Sequence, residues 1–175
     1  MWSHLSKTKT NKHALWYKKP PDLEKFFQGF IVHHTFNLHE IVPENDFKFF
    51  IDFDYKNTNE YLPNDVIIYI RHLLDTFIGS QSLLAINKHD GKTGLHFVYP
   101  EKIVSREEAK QLATKITEQH PEFKDYVDTA PYKGKLRTIY SIKCVGEEDF
   151  YVPCDGKRDA QTMVRYSIFR AQEEN

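Results

Sequence analysis

Two carboxylates, Asp52 and Asp54, stand two residues apart in the apolar run Phe47-Lys-Phe-Phe-Ile-Asp-Phe-Asp-Tyr55. Side chains alternate between the faces of a strand. Phe47, Phe49, Ile51 and Phe53 then share one face, suited to the core. Asp52 and Asp54 share the other with Phe50. Their Cα atoms would lie about 7 Å apart. Like charges so placed repel unless a cation sits between them, and carboxylate oxygens suit the hard ions Mg²⁺ and Mn²⁺. On spacing alone a solvent-facing strand end fits as well; the apolar setting favours a central strand and a metal site.

Two further segments carry chemistry. In Lys92-Thr-Gly-Leu-His96-Phe-Val-Tyr-Pro100, Leu95, Phe97 and Tyr99 take one face of a strand, and Gly94 and His96 the other. Gly94 leaves room beside the imidazole for close approach of a ligand. A structural histidine fits this segment too. In the run 136–143, alternation puts Arg137 and Lys143 on one face, with Lys133 and Lys135 nearby. A planar guanidinium and a point-charge ammonium are natural triphosphate ligands, although a solvated sheet face would show the same pattern. Asp128 precedes this strand and could bring a third carboxylate to the same rim. Lys133 and Lys135 are also candidates for contact with DNA phosphates. Cys144 should fall on the opposite face as packing. Cys154 lacks a partner at metal spacing, and no Cys-x-x-Cys accompanies His33, His34 and His39, which argues against structural zinc.

The elements that must position these groups follow from periodicity and punctuation. A strand is expected at 47–55. A helix at 64–78 should be capped by Asn64, buried through Val66, Ile70, Leu73, Leu74 and Phe77, and ended by Gly79. Strands at 82–87 and 94–99 flank a turn-like Asp90-Gly91. A helix at 105–119 opens on a Ser105/Glu108 capping box and buries Ala109, Leu112, Ala113 and Ile116. Asp22 should cap a short helix through about Phe27, and strands should follow at 135–143 and 162–169. The order is that of an α+β domain with a mostly antiparallel sheet backed by helices.

Taken in order, these motifs resemble those of the archaeo-eukaryotic primase superfamily. The resemblance points to its PrimPol-like and viral branch, which includes the primase half of poxvirus-type primase-helicases of large DNA viruses. FFIDFDYK (49–56) matches that family's Asp-x-Asp strand, KTGLHFVYP (92–100) its histidine strand, and DTAPYKGKLRTIYSIK (128–143) its Asp, Tyr, Arg and Lys. Gly94 stands where the family often has Ser, so either Lys92 or Thr93 supplies that phosphate contact or the contact is absent. The resemblance implies an RRM-like primase catalytic core in which Asp52, Asp54 and Asp128 hold two divalent ions, Mg²⁺ or Mn²⁺. It implies that His96, Arg137 and Lys143 hold an incoming NTP or dNTP, and that primers are made on single-stranded DNA. A catalytically idle relative that binds template or a replication partner is the alternative. A replication-initiator nuclease would need His-x-His, which this chain lacks.

Length and charge bound the rest. The 175 residues suit one domain, and a 14% aromatic content excludes a disordered tail. Residues 1–21, with Lys7, Lys9, Lys12, Lys18 and Lys19, read as a basic arm laid across a catalytic domain at 22–175. A formal net charge of −1 argues against tight, stand-alone nucleic-acid binding. No apolar run is long enough to span a membrane. The opening lacks a secretory signal core, and two cysteines form no disulfide framework. We therefore expect an intracellular setting: cytoplasm or nucleus, in the host cell if the protein is viral. Primases usually work with a helicase domain or subunit, so the chain reads as a catalytic domain excised from a longer protein.

Overall fold

The computed structural model describes residues 1–7, 13–56 and 60–171. Among them nine strands and four α-helices form an α+β fold with two antiparallel sheets. In chain order these are β1 (Trp2–Ser6), β2 (Leu15–Lys18), α1 (Leu23–Ile31), β3 (His39–Ile41), β4 (Phe47–Lys56), α2 (Asn64–Ile78), β5 (Leu83–His89), β6 (Lys92–Val104), α3 (Arg106–Gln119), β7 (Val127–Asp128), β8 (Lys135–Arg137), β9 (Val152–Pro153) and α4 (Ala160–Tyr166). One sheet runs β7-β4-β6-β5-β9 and the other β2-β1-β3-β8.

The apolar strand 47–56 is central, as its composition demands. Phe49, Ile51, Phe53, Leu95 and Phe97 are buried in one cluster with Ile67, Ile70 and Leu74 of α2 and Ala109, Ala113 and Ile116 of α3. The opposite face is closed on one side by a second cluster, in which Ala85 joins Phe27 and Ile31 of α1 and Met163 and Tyr166 of α4. The β5–β6 hairpin turns on Asp90 (φ 54°) and Gly91 (φ 71°), the paired positive φ angles of a tight turn matched to strand twist.

Caps follow the sequence in two helices. Asp22 accepts from the Lys25 amide, and Ser105 and Glu108 form the full capping box. At α2 the cap position is Pro63 and no side chain caps it; Asn64 instead accepts from Lys88 Nζ. Val66, expected in the stripe, is exposed, and Ile67 is buried in its place. Two expected strands fail. Residues 162–169 lie largely in α4, because Asp159 accepts from the Thr162 amide and Ala160, Met163 and Tyr166 recur at helical spacing. The strand expected at 135–143 stops at Arg137. Thr138 and Ser141 turn inward to the Leu38 backbone, and Tyr140 sits at φ 63°, reversing the chain.

Parts of the expected arm are strands: β1 lies between β2 and β3. Lys9 and Lys12 lie outside the described residues. No helix among the described residues is long and apolar enough to cross a membrane.

Candidate functional site

Register assembles the acids. Asp52 of β4 lies opposite Asp128 of β7 on one side and His96 of β6 on the other, and His96 lies opposite Ala85. Directly opposed residues point to the same face. A row of Asp128, Asp52 and His96 therefore crosses three strands, with Asp54 and Gly94 opposed two positions along. Oxygens of Asp52, Asp54 and Asp128 lie within 4.8 Å of one another. Tyr132, fully buried, donates its hydroxyl hydrogen bond to the Phe50 carbonyl at 2.6 Å. That contact ties the turn after Asp128 to β4. Asp128 also accepts from the Ala130 amide at 2.9 Å.

Two features show that the carboxylates suit a cation. Asp52 is 8% exposed, and its buried Oδ1 has no hydrogen-bond partner among the described residues. The His96 Nε2 lies 3.2 Å from it, an ion-pair distance when the imidazole carries a proton. Second, burial and the neighbouring Asp52 raise the Asp54 pKa to about 6, with Asp128 adding to the rise while His96 and Lys56 oppose it. Buried, mutually repelling oxygens are the donor set that a hard divalent ion satisfies.

Asp52 and Asp54 open into a cleft of about 530 Å³ that Lys92, Lys135, Arg137 and Lys143 also line. That volume is in the range of small-molecule sites. A second opening of about 460 Å³ is lined by Asp54, Lys56, Asp125 and Asp128, so Asp54 and Lys56 border both.

The structure brings together most of the residues singled out from sequence, with several corrections. Thr93 lies on the other face, fully buried, and its hydroxyl accepts from the Leu62 amide. It does not reach the cleft. Lys133 is not among the cleft's lining residues and lies against Lys110, whose pKa it lowers by hydrogen bonding and repulsion. Arg137 and Lys143 do share the cleft: Arg137 ends strand β8, while the turn at Tyr140, not strand alternation, brings Lys143 to it. Cys144, expected to pack away from the site, also lines it.

Three residues not singled out from sequence change the site. The space beside Gly94 is filled from within the chain. The Tyr151 ring stacks on His96 with centroids 3.5 Å apart and planes 16° apart, and its hydroxyl lies where a side chain at position 94 would begin. Asp149 accepts from Arg137 Nη2 at 3.1 Å and from Asn87 at 2.6 Å. Burial would raise the Asp149 pKa, but the Asn87 hydrogen bond and Arg137 outweigh it and hold the carboxyl below its usual range. Glu147 pairs with His89 at 3.8 Å. The acidic run Glu147-Glu148-Asp149 was the only sequence signal for this loop. No known family model and no curated protein matches this chain.

Proposed function

We propose that this domain is a template-directed nucleotidyltransferase that makes primers from NTPs or dNTPs on single-stranded DNA, built on an RRM-like primase core. The observation that carries the reading is the cluster of three carboxylates, with a buried Asp52 oxygen that accepts no hydrogen bond among the described residues, beside a cation-lined cleft. Asp52, Asp54 and Asp128 would hold two Mg²⁺ or Mn²⁺ ions. Bound there, such ions lower the pKa of an attacking hydroxyl and stabilise the leaving pyrophosphate oxygen.

The chain's own side chains supply position and charge. Lys92, Lys135 and Lys143 line the cleft and neutralise the triphosphate there. Arg137 contributes its charge from the cleft wall while Asp149 fixes its guanidinium. His96 sits beside Asp52 and orients that carboxylate, with Tyr151 holding the imidazole flat. Two-metal chemistry requires no side-chain nucleophile.

One pair of observations favours the second reading, a non-catalytic primase-like domain that binds template or a replication partner. Tyr151 covers one face of His96, and Asp149 occupies Arg137. In that reading the two are closed to a phosphate. Unprimed synthesis separates the readings: single-stranded DNA, labelled NTPs or dNTPs, and Mn²⁺. Products that disappear with Asp52→Asn support the transferase. Calorimetric Mn²⁺ binding without any product, under all nucleotide conditions, supports the binding domain.

A further inference from the structure

Both tryptophans of this chain face solvent. Trp2 is 49% and Trp16 50% exposed, although the cores bury phenylalanine after phenylalanine. Their rings lie 6.3 Å apart at 52°, on the neighbouring strands β1 and β2. A bulge between Trp2 and His4 produces this arrangement. In a regular strand the two would share a face, but here His4 is fully buried and Trp2 is turned outward beside Lys18.

Charge is just as uneven. Residues 1–21 hold five lysines and no acidic residue, so the rest of the chain carries the entire negative excess. Lys7, Lys18 and Lys19 are exposed around the pair. The register connects this ribbon to the cleft. Trp16, Leu5, His39 and Arg137 are opposed in sequence across β2, β1, β3 and β8, and so share one face. His39 and Arg137 at the far end line the cleft. Lys7, at the end of β1, is close enough to Lys135 of the cleft to add to the lowering of that amine by burial.

We infer that the β1–β2 ribbon is a stacking platform for single-stranded nucleic acid, with Trp2 and Trp16 taking bases and Lys7, Lys18 and Lys19 taking phosphates. Exposed aromatic faces interleaved with cations are what an unpaired strand recognises without sequence preference. Strand addition by a peptide or a second copy is disfavoured, because edge strand β2 ends in lysines and runs into Pro20-Pro21. Only the identification of the bound strand as template rests on the proposed function; the binding itself does not.

The experiment exploits the fact that every tryptophan of the chain lies in the platform. A dT oligonucleotide is titrated into the full chain in EDTA, with intrinsic fluorescence and the anisotropy of a labelled strand read together. Quenching should saturate with binding. Trp2→Ala and Trp16→Ala should each weaken affinity roughly five- to a hundred-fold for a lost stacked base, and Trp16→Phe should retain most of it. With three to five phosphates neutralised, log K should fall against log salt with a slope of about −2 to −3.5. Trp→Ala should leave that slope unchanged, and Lys18→Glu with Lys19→Glu should flatten it. Unquenched fluorescence at saturation overturns the inference. So does wild-type affinity in both Trp→Ala variants, or a dimer that Trp16→Ala dissociates without affecting DNA binding. Saturating quenching with no nucleotide incorporation would reject the catalytic reading and leave the platform standing. Normal incorporation with unquenched tryptophans would do the reverse.

Discussion

Asp52, Asp54 and His96 stand on the β4–β6 ladder, whose pairing runs continuously from Phe47 to Lys56 with one irregularity. Arg137 and Lys143 stand on chain that leaves its strand after three residues and reverses at Tyr140. The acidic side of the cleft is thus fixed by a long ladder, and the basic side by the start of β6, the three-residue strand β8 and the loop after Tyr140. The difference matches what the proposed reaction asks of each side. Metal-binding carboxylates need their spacing held to a fraction of an ångström by rigid elements. Long cationic side chains reach a phosphate from many backbone positions, so a loop serves.

The largest expected effect tests the rigid half. Asp52→Asn or Asp54→Asn should reduce incorporation by about a thousand-fold or more, the equivalent of about 4 kcal/mol of transition-state stabilisation. Asp128→Asn should follow, since β7 places it opposite Asp52. Incorporation assays at equal folded concentration decide the matter, and wild-type-like synthesis by either of the first two variants would remove the metal site from the argument.

The basic half should respond more mildly. Arg137→Ala should weaken triphosphate binding in Mn²⁺ about ten- to a hundred-fold, and Arg137→Lys should restore only part, because the fork is lost. Lys143→Ala and His96→Ala should cost less. Asp149→Ala sharpens the comparison. It frees Arg137 from its carboxylate partner, so triphosphate affinity should rise several-fold. If none of these variants shifts the affinity measured by calorimetry, the basic half is a solvated wall.

How much of this was legible in the sequence follows the same division. Alternation in 47–54 put Asp52 and Asp54 on one face, and Asp90-Gly91 marked the β5–β6 turn; Asp128 came only from the order of motifs, and its place opposite Asp52 is set by β7, a two-residue strand with no periodic signal. Beyond Arg137 the alternation continues in the sequence, yet Thr138 and Ser141 satisfy their hydroxyls against each other and the Leu38 backbone, and local periodicity carries no trace of that. The β-branched and aromatic run 162–169 reads as strand, but the Asp159 cap and the spacing of Ala160, Met163 and Tyr166 win. Gly94 was read as room for a ligand, but Tyr151 takes that room, from 57 residues away in sequence and with no local signature.

That long-range contact gives a test at the seam between the halves. A methyl group at position 94 would collide with the Tyr151 hydroxyl. Gly94→Ala should therefore destabilise the domain by about 1–3 kcal/mol and push the ring off His96. Tyr151→Ala costs its own packing, but Gly94→Ala added to it should cost almost nothing more. A double-mutant cycle by chemical denaturation measures this coupling. Additive losses would show that the ring and the glycine do not meet.

The smallest expected effect separates a site kept for metal from one kept for stability. Burial and Asp52 raise Asp54 to about 6, against an ordinary value of 3.8. The folded metal-free protein then binds more protons than the unfolded chain between about pH 4 and 6. Stability therefore falls as pH rises through that window: the favourable contribution of a protonated Asp54 is complete below about pH 4 and gone above about pH 6. At pH 7.5 the ionised carboxylate is a net cost of about 1–2 kcal/mol, after a discount for the solvent screening that a half-buried group receives. Asp54→Asn removes the charge and keeps the shape. In EDTA at pH 7.5 it should melt a few degrees above wild type, and the gap should close as pH falls toward 4. Adding Mn²⁺ should raise the wild-type melting temperature and leave the variant nearly unmoved, so the order of the two reverses. Melting curves at three pH values, with and without Mn²⁺, check the whole chain of reasoning. A variant that is less stable than wild type in EDTA at pH 7.5 would mean that Asp54 is held by structural partners, and that the three carboxylates form an ordinary strand edge instead of a cation site.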